Sequence, residues 1–140
     1  MNFGLELYWR QHADLLRAAA ELESELAGPR FAHSAEAARN HLVQISGKLT
    51  VHLQMEDRGL YPAFLASADP RVRSVATRFR DSMGGLKASA DAFFRAWLRP
   101  DAIAADPDGF RVDARALLRA LAERIAAEDI ELYPLAGRLG

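Results

Sequence analysis

The sequence predicts an all-α protein: an up-down-up-down antiparallel four-helix bundle that spans residues 1–140 as a single domain. Three observations predict it. Apolar residues recur at three-four spacing along almost the whole chain, the signature of helices that bury one stripe. Three breaks rich in proline, glycine and aspartate divide that pattern into four long segments joined by short connections, which favours antiparallel neighbours. Strand signals are missing, with no alternating β-branched runs and no hairpin dipeptides between them.

The first helix is expected over about residues 3–27, with Leu5, Tyr8, His12, Leu15, Ala19, Leu22 and Leu26 on its inner stripe; Gly28-Pro29 ends it. The second is expected over about 34–66, with Ser34 as its N-cap and Leu42, Ile45, Leu49, His52, Glu56, Leu60 and Ala63 facing inward. Ser67-Ala68-Asp69-Pro70 ends it. The third, about 70–98, places Val72, Val75, Phe79, Met83 or Ser82, Leu86, Ala90, Phe93 and Trp97 on the stripe; the run from Arg99-Pro100 to Asp106-Pro107-Asp108-Gly109 closes it. The fourth, about 110–137, turns Ala114, Leu118, Leu121, Ile125, Glu128, Leu132 and Leu135 inward.

Composition narrows the function classes. Half of the 140 residues are hydrophobic, 26% are charged and the net charge is −1, an ordinary globular balance. That charge gives no electrostatic reason to expect a nucleic acid or an anionic membrane as partner. There is no cysteine, which excludes disulfides, thiolate metal sites and cysteine nucleophiles. No run approaches the roughly 20 apolar residues that span a bilayer. The opening residues carry acid within the first turn and do not read as a signal peptide, so the expected compartment is the cytoplasm.

The inner stripes are apolar except at His12, His52, Glu56 and Glu128. His52 and Glu56 lie one turn apart on one face, about 6 Å between Cβ atoms, close enough to ligate one cation together. An imidazole–carboxylate mix suits iron, manganese or zinc. His12 and Glu128 on facing helices would complete such a site, because bundle cores assemble metal sites in that way. Uncompensated buried carboxylates are costly, so a positive group must sit near them. A metal ion is one answer; Arg124, one turn before Glu128, is the other.

An internal repeat marks the same places. Leu49-Thr-Val-His52-Leu-Gln-Met-Glu56-Asp57-Arg-Gly-Leu60-Tyr61-Pro62 matches Leu121-Ala-Glu-Arg124-Ile-Ala-Ala-Glu128-Asp129-Ile-Glu-Leu132-Tyr133-Pro134 at constant offset, and both halves carry Glu-Asp-x-x-Leu-Tyr-Pro. The proline is expected to bend or end each helix.

With His12, the His52-x-x-x-Glu56 pair and the two Glu-Asp-x-x-Leu-Tyr-Pro ends, essentially the whole chain resembles the hemerythrin-like, or HHE cation-binding, domains. The resemblance implies a hemerythrin-like bundle whose core holds non-heme iron, commonly a carboxylate-bridged pair, with roles in oxygen binding, oxygen or iron sensing, or metal and nitrosative-stress handling. By position, His12, His52, Glu56 and Glu128 are similar to family ligands. Arg124 stands where the family's fourth helix usually has histidine. The third helix has none of the family's histidines between Arg78 and Lys87, and Asp81, its acid there, lies off the seam. Two histidines and two carboxylates are too few for a reversible oxygen carrier of the family type. A single iron, a loosely held ion or no metal fits better.

Other residues read as structural. His41 lies three turns from His52, too far to share its ligand, and His33 reads as a solvated loop residue. Tyr61 and Tyr133 read as packing groups, with Tyr8 the better candidate for a hydrogen bond to His12. Arg71, Arg73, Arg78 and Arg80 read as a solvated face. Gly84-Gly85 would permit close packing or a kink. Ferritin-like Glu-x-x-His pairs, a phosphotransfer histidine, hydrolytic triads and phosphate loops have no match. A redox enzyme, peroxidase-like or handling nitric oxide, would need an open coordination site and a second substrate pocket, and the sequence shows neither. Two functions fit these residues best. One is an iron-binding protein for oxygen, redox or iron sensing or handling. The other is a metal-free interaction or regulatory module in which Arg124 neutralises the core carboxylates. A protein partner or a homodimer remains open in both.

Overall fold

The computed structural model describes residues 4–28, 31 and 34–139. Among them there is no strand, and the chain forms the expected helical bundle. Helix α1 runs from Glu6 to Ala27, and α2 from Ala35 to Met55. A π turn, Glu56–Leu60, joins α2 directly to α3, Tyr61–Leu65. Helix α4 covers Pro70–Trp97, α5 is the single turn Ala102–Ala105, and α6 covers Pro107–Ala127. A second π turn, Glu128–Leu132, then leads into a 3₁₀ segment, Tyr133–Arg138. The four rods of the bundle are thus α1, α2 with α3, α4, and α6 with its two extensions. No helix among the described residues is long and apolar enough to cross a membrane.

The starts of α4 and α6 follow the same local rule. Asp69 and Asp106 are N-caps whose carboxylates accept from Arg71 N and Gly109 N, and each is followed by a proline that needs no helical N–H partner. The Asp106 cap starts α6 at Pro107, three residues before the expected start, and the break before it holds α5. Asp101 turns the chain there in the left-handed region, at φ 66°. Pro29 and His33, both part of the sequence reading, lie outside the described residues.

Burial follows the expected stripes with local shifts. Ala18 rather than Ala19 is buried on α1, and Ala76 rather than Val75 on α4. Helix α4 runs without interruption through Gly84-Gly85, and a methyl group at either position would meet open space. Close packing therefore does not require this pair, and nothing in the structure explains it. Arg71, Arg73, Arg78 and Arg80 are exposed as expected.

Each proline, expected to bend or end its helix, follows a break in the regular α-helix that takes the form of a widened turn. Pro62 and Pro134 lack an N–H, and a proline ring crowds the carbonyl four residues earlier. The chain accommodates them by widening the preceding turn: Tyr61 N–H bonds to Glu56 O, and Tyr133 N–H to Glu128 O, five residues back. That extra residue changes the phase around each proline, although Leu135 is buried as the α-helical spacing predicts. Phe64 becomes buried where the α-helical spacing points to Ala63, and Tyr61 and Tyr133 turn inward.

The core has two apolar parts. An aliphatic half, with Leu15, Leu22, Leu42, Ile45, Leu49, Leu121 and Ile125, extends to Phe31 and Phe110. A smaller half gathers Tyr8, Leu60, Tyr61, Phe64, Phe79, Leu132 and Tyr133. Along α1, α2 and α6 the polar residues fall in sequence between the two: His12 between Tyr8 and Leu15, His52 and Glu56 between Leu49 and Leu60, Glu128 between Ile125 and Leu132.

Candidate metal centre

His12, His52, Glu56 and Glu128 are all buried, and one ligand atom from each lies within 4.8 Å of all the others. Three rods contribute. His12 comes from the second turn of α1, His52 from the last turn of α2, and the two glutamates from the first positions of the two π turns. The four residues singled out in the sequence therefore converge.

The imidazoles face one another, with His12 Nε2 and His52 Nε2 3.1 Å apart. Their other nitrogens are held by acceptors. Asp129 Oδ1 lies 2.6 Å from His12 Nδ1, and Gln11 Oε1 lies 2.7 Å from His52 Nδ1. A carboxylate and an amide oxygen can only accept, so each Nδ1 carries the proton and each Nε2 presents a lone pair. Two lone pairs pointed at each other repel unless a cation stands between them or a proton is added. An outer acceptor that fixes the tautomer and aim of a ring is the usual support of a metal-ligating histidine. The Gln11 amide is itself fixed, its nitrogen donating to Met55 Sδ at 2.9 Å.

The carboxylates complete the arrangement. Glu128 Oε1 lies 3.1 Å from His12 Nε2, and Glu56 Oε1 lies 3.5 Å from His52 Nε2. Glu56 Oε1 is buried and has no hydrogen-bond partner while both carboxyls are ionised; a cation or a shared proton would satisfy it. Burial drives the Glu128 carboxyl up to about 9, reinforced by the negative charge of Glu56 and only partly opposed by Arg124 and His52. For Glu56, burial acts upward as well, but the Nε2 hydrogen bond and positive charge of His52 in its doubly protonated form, with hydrogen bonds from Glu128 and Tyr133, outweigh it and leave the carboxyl below its ordinary range. Without a metal, the pair therefore holds one proton between two carboxyls.

The tyrosines are closer to this centre than the sequence reading allows. Tyr133 Oη donates to Glu56 Oε2 at 2.9 Å and lies 3.0 Å from His12 Nε2. Tyr61 Oη lies 3.4 Å from Glu128 Oε2 as donor and accepts from Arg124 Nη2 at 2.8 Å. Burial first, and then the charges of Glu56 and Glu128, raise both phenols well above their usual range, so both stay protonated. Tyr8, expected to serve His12, instead donates to Met55 O at 3.1 Å and sets its ring edge-on to His52. The reason is the wide turn: five residues after a glutamate lies off an α-helical stripe, but on the same side as the glutamate in an i→i+5 register. The proline that directly follows each tyrosine, Pro62 and Pro134, was the available signal.

Arg124 occupies the flank next to α4. It donates to Ser82 Oγ at 2.8 Å, Phe79 O at 2.7 Å and Tyr61 Oη, and its guanidinium lies 4.9 Å over the Phe79 ring. Its Nε is 3.5 Å from Glu128 Oε2. The counter-ion reading thus holds for one oxygen of Glu128 alone, because the other donors of Arg124 are engaged elsewhere. Asp81 is exposed and pairs with Arg80; His41 is half-buried, 3.4 Å from Glu25.

The set of two imidazole nitrogens and two carboxylates, compact and buried, fits a borderline-to-hard cation such as iron, manganese or zinc. No curated protein and no solved structure gives a significant match to the chain. The family profile described as the hemerythrin HHE cation-binding domain matches residues 4–136. With that match covering nearly the whole chain, the protein belongs to the hemerythrin HHE cation-binding domain family.

Proposed function

We propose that the protein holds a single non-heme iron ion through His12, His52, Glu56 and Glu128, and uses it in oxygen or redox sensing or in iron handling. The facing Nε2 atoms carry this reading: both rings are oriented by acceptors on their far side, His12 Nε2 lies beside Glu128 Oε1, and His52 Nε2 lies beside Glu56 Oε1, a buried carboxylate oxygen without a partner. When bound, the ion would supply one-electron redox chemistry and an affinity for oxygen or related small ligands. The chain's own groups do the rest. Asp129 and Gln11 aim the imidazoles, Tyr133 keeps a protonated hydroxyl against Glu56 and His12, and the apolar halves on either side exclude water. Arg124 fills the side toward α4 with a fixed positive charge, which leaves donors for one ion and opposes a second.

The alternative, a metal-free interaction module, is supported by the Arg124–Glu128 approach, but leaves Glu56 Oε1 unsatisfied unless a proton is shared. Elemental analysis of untagged protein expressed with iron and purified without chelator separates the two. One iron per chain, lost in His52→Ala, supports the first reading. Protein that stays metal-free and melts at the same temperature with iron or chelator supports the second.

A further inference from the structure

The ligand cluster is buried, but a column of aromatic rings connects it to the surface. The Tyr133 ring lies parallel to the His12 imidazole, 4.7 Å between centroids and 9° between planes. Trp9 meets Tyr133 edge-on at 5.0 Å and His12 at 6.5 Å. Tyr133 is completely buried, whereas Trp9 is 40% exposed. One side chain thus touches both solvent and the ring that is bonded to the cluster.

The chemical identity of these rings matters. In a chain without cysteine, tyrosine and tryptophan are the side chains that most readily give up a single electron. A phenol does so readily only if its proton has somewhere to go, and Tyr133 already donates to Glu56 Oε2 at 2.9 Å. The equivalent tyrosine of the repeat is built differently. Tyr61 has no ring partner among the described residues, and the Arg124 guanidinium bonded to its oxygen opposes a positive charge on the ring.

We propose that Trp9 and Tyr133 form a one-electron relay between the protein surface and the His12–His52–Glu56–Glu128 cluster, serving a soluble one-electron redox compound that meets Trp9. The use of the relay rests on the iron reading above; the relay itself is a property of the chain. In the oxidising direction, the external oxidant takes one electron from the Trp9 indole and is reduced. Tyr133 returns an electron to the indole across their ring contact. Its phenolic proton moves to Glu56 Oε2, leaving a neutral tyrosyl radical. One electron leaves the protein, and the proton stays within it.

The test uses metal-free full-length protein carrying Trp97→Phe, which removes the other tryptophan. Tris(bipyridine)ruthenium(III), generated by a laser flash with a cobalt(III) acceptor, is the oxidant; transient absorption and freeze-quenched EPR are the readouts. An indole radical that decays into a tyrosyl radical is expected. Adding Trp9→Phe, which keeps a ring on an exposed site and leaves the fold intact, should remove most of the tyrosyl yield. Adding Tyr133→Phe should leave a long-lived indole radical, and adding Tyr61→Phe should change neither signal. An undiminished tyrosyl yield without Trp9, or a tyrosyl radical that survives Tyr133→Phe, overturns the relay. In protein loaded with ferrous iron, the flash should instead produce a ferric EPR signal that depends on Trp9. If the protein takes up no iron, the proposed function fails, while the metal-free experiment still decides the relay.

Discussion

At the end of α2, Glu56-Asp57 enters a π turn one helical turn after His52; at the end of α6, Glu128-Asp129 enters the same turn one helical turn after Arg124. The two segments share Glu-Asp-x-x-Leu-Tyr-Pro, the i→i+5 bond to the tyrosine nitrogen, and the burial of glutamate, leucine and tyrosine. Their surroundings differ at the aspartate, at the second residue after it, Gly59 or Glu131, and at the tyrosine hydroxyl. Asp129 reaches across to His12, but Asp57 lies on the surface with Lys87. Gly59 lies beneath the Tyr8 hydroxyl, whereas its counterpart Glu131 points to solvent and pairs with Arg78. Tyr133 is bonded to both His12 and Glu56, whereas Tyr61 reaches only Glu128, at 3.4 Å, and is tied to Arg124. One backbone solution to a proline was thus placed against two different neighbours, and the neighbours set the chemistry.

The strongest way to break this comparison is at the residue preceding each glutamate by a turn. His52→Ala should lower iron affinity by more than the ~10–100-fold typical of losing an outer support, because it removes a ligand itself. Arg124→His should raise affinity or stoichiometry, since it replaces a repelling cation with a donor. Isothermal titration with ferrous iron under anaerobic conditions measures both, and unchanged metal content in both variants would refute the site assignment.

The two aspartates sharpen it next. Asp129→Asn should cost roughly 10–100-fold in metal affinity by loosening the aim of His12. Asp57→Asn should leave affinity unchanged, which makes the pair an internal control.

Proton linkage gives a third contrast, between the two glutamates. Glu128 has its carboxyl raised in the folded protein, so the fold binds a proton that the unfolded chain releases. Stability of the metal-free protein should therefore be greatest below about 4.5 on this account and fall as pH rises toward about 9. Glu56 is lowered and acts with the opposite sign, subtracting stability only as pH falls below its ordinary range. Metal affinity should rise over the interval in which metal-free stability falls, because binding expels the shared proton. Urea unfolding with and without metal across that range checks both slopes.

Gly59→Ala places a methyl carbon 2.6 Å from Tyr8 Oη and should destabilise the fold by about 1–3 kcal/mol. Glu131→Ala, at the equivalent place, removes only an exposed pair and should cost less than about 1 kcal/mol. Asp57→Asn should fall in the same small range for stability. Thermal melts of the three variants order these effects.

How much of this was legible in the sequence depends on the range of the interaction that encodes it. The helices and the inward polar residues follow from spacing, and the breaks at Asp69-Pro70 and Asp106-Pro107 mark where α4 and α6 begin, although spacing did not identify the two aspartates as their caps. The repeat marked both glutamates and both prolines. What spacing could not show was the wide turn, because an α-helical phase places Ala63 inward where the structure buries Phe64, and leaves the tyrosines off the stripe. Nor could it show that Asp129 and Gln11, each beside a stripe residue, reach different histidines on different rods.

The sequence by itself determined a helical bundle with four polar side chains turned into its core, because periodic burial and capping are local properties of the chain. Only the tertiary structure decided which acceptor fixes each imidazole, which carboxylate each tyrosine meets, and how far Arg124 serves as a counter-ion. Those outcomes depend on how three or four rods lie against one another, and on a one-residue change of phase before each proline that leaves the local pattern of apolar residues almost unaltered.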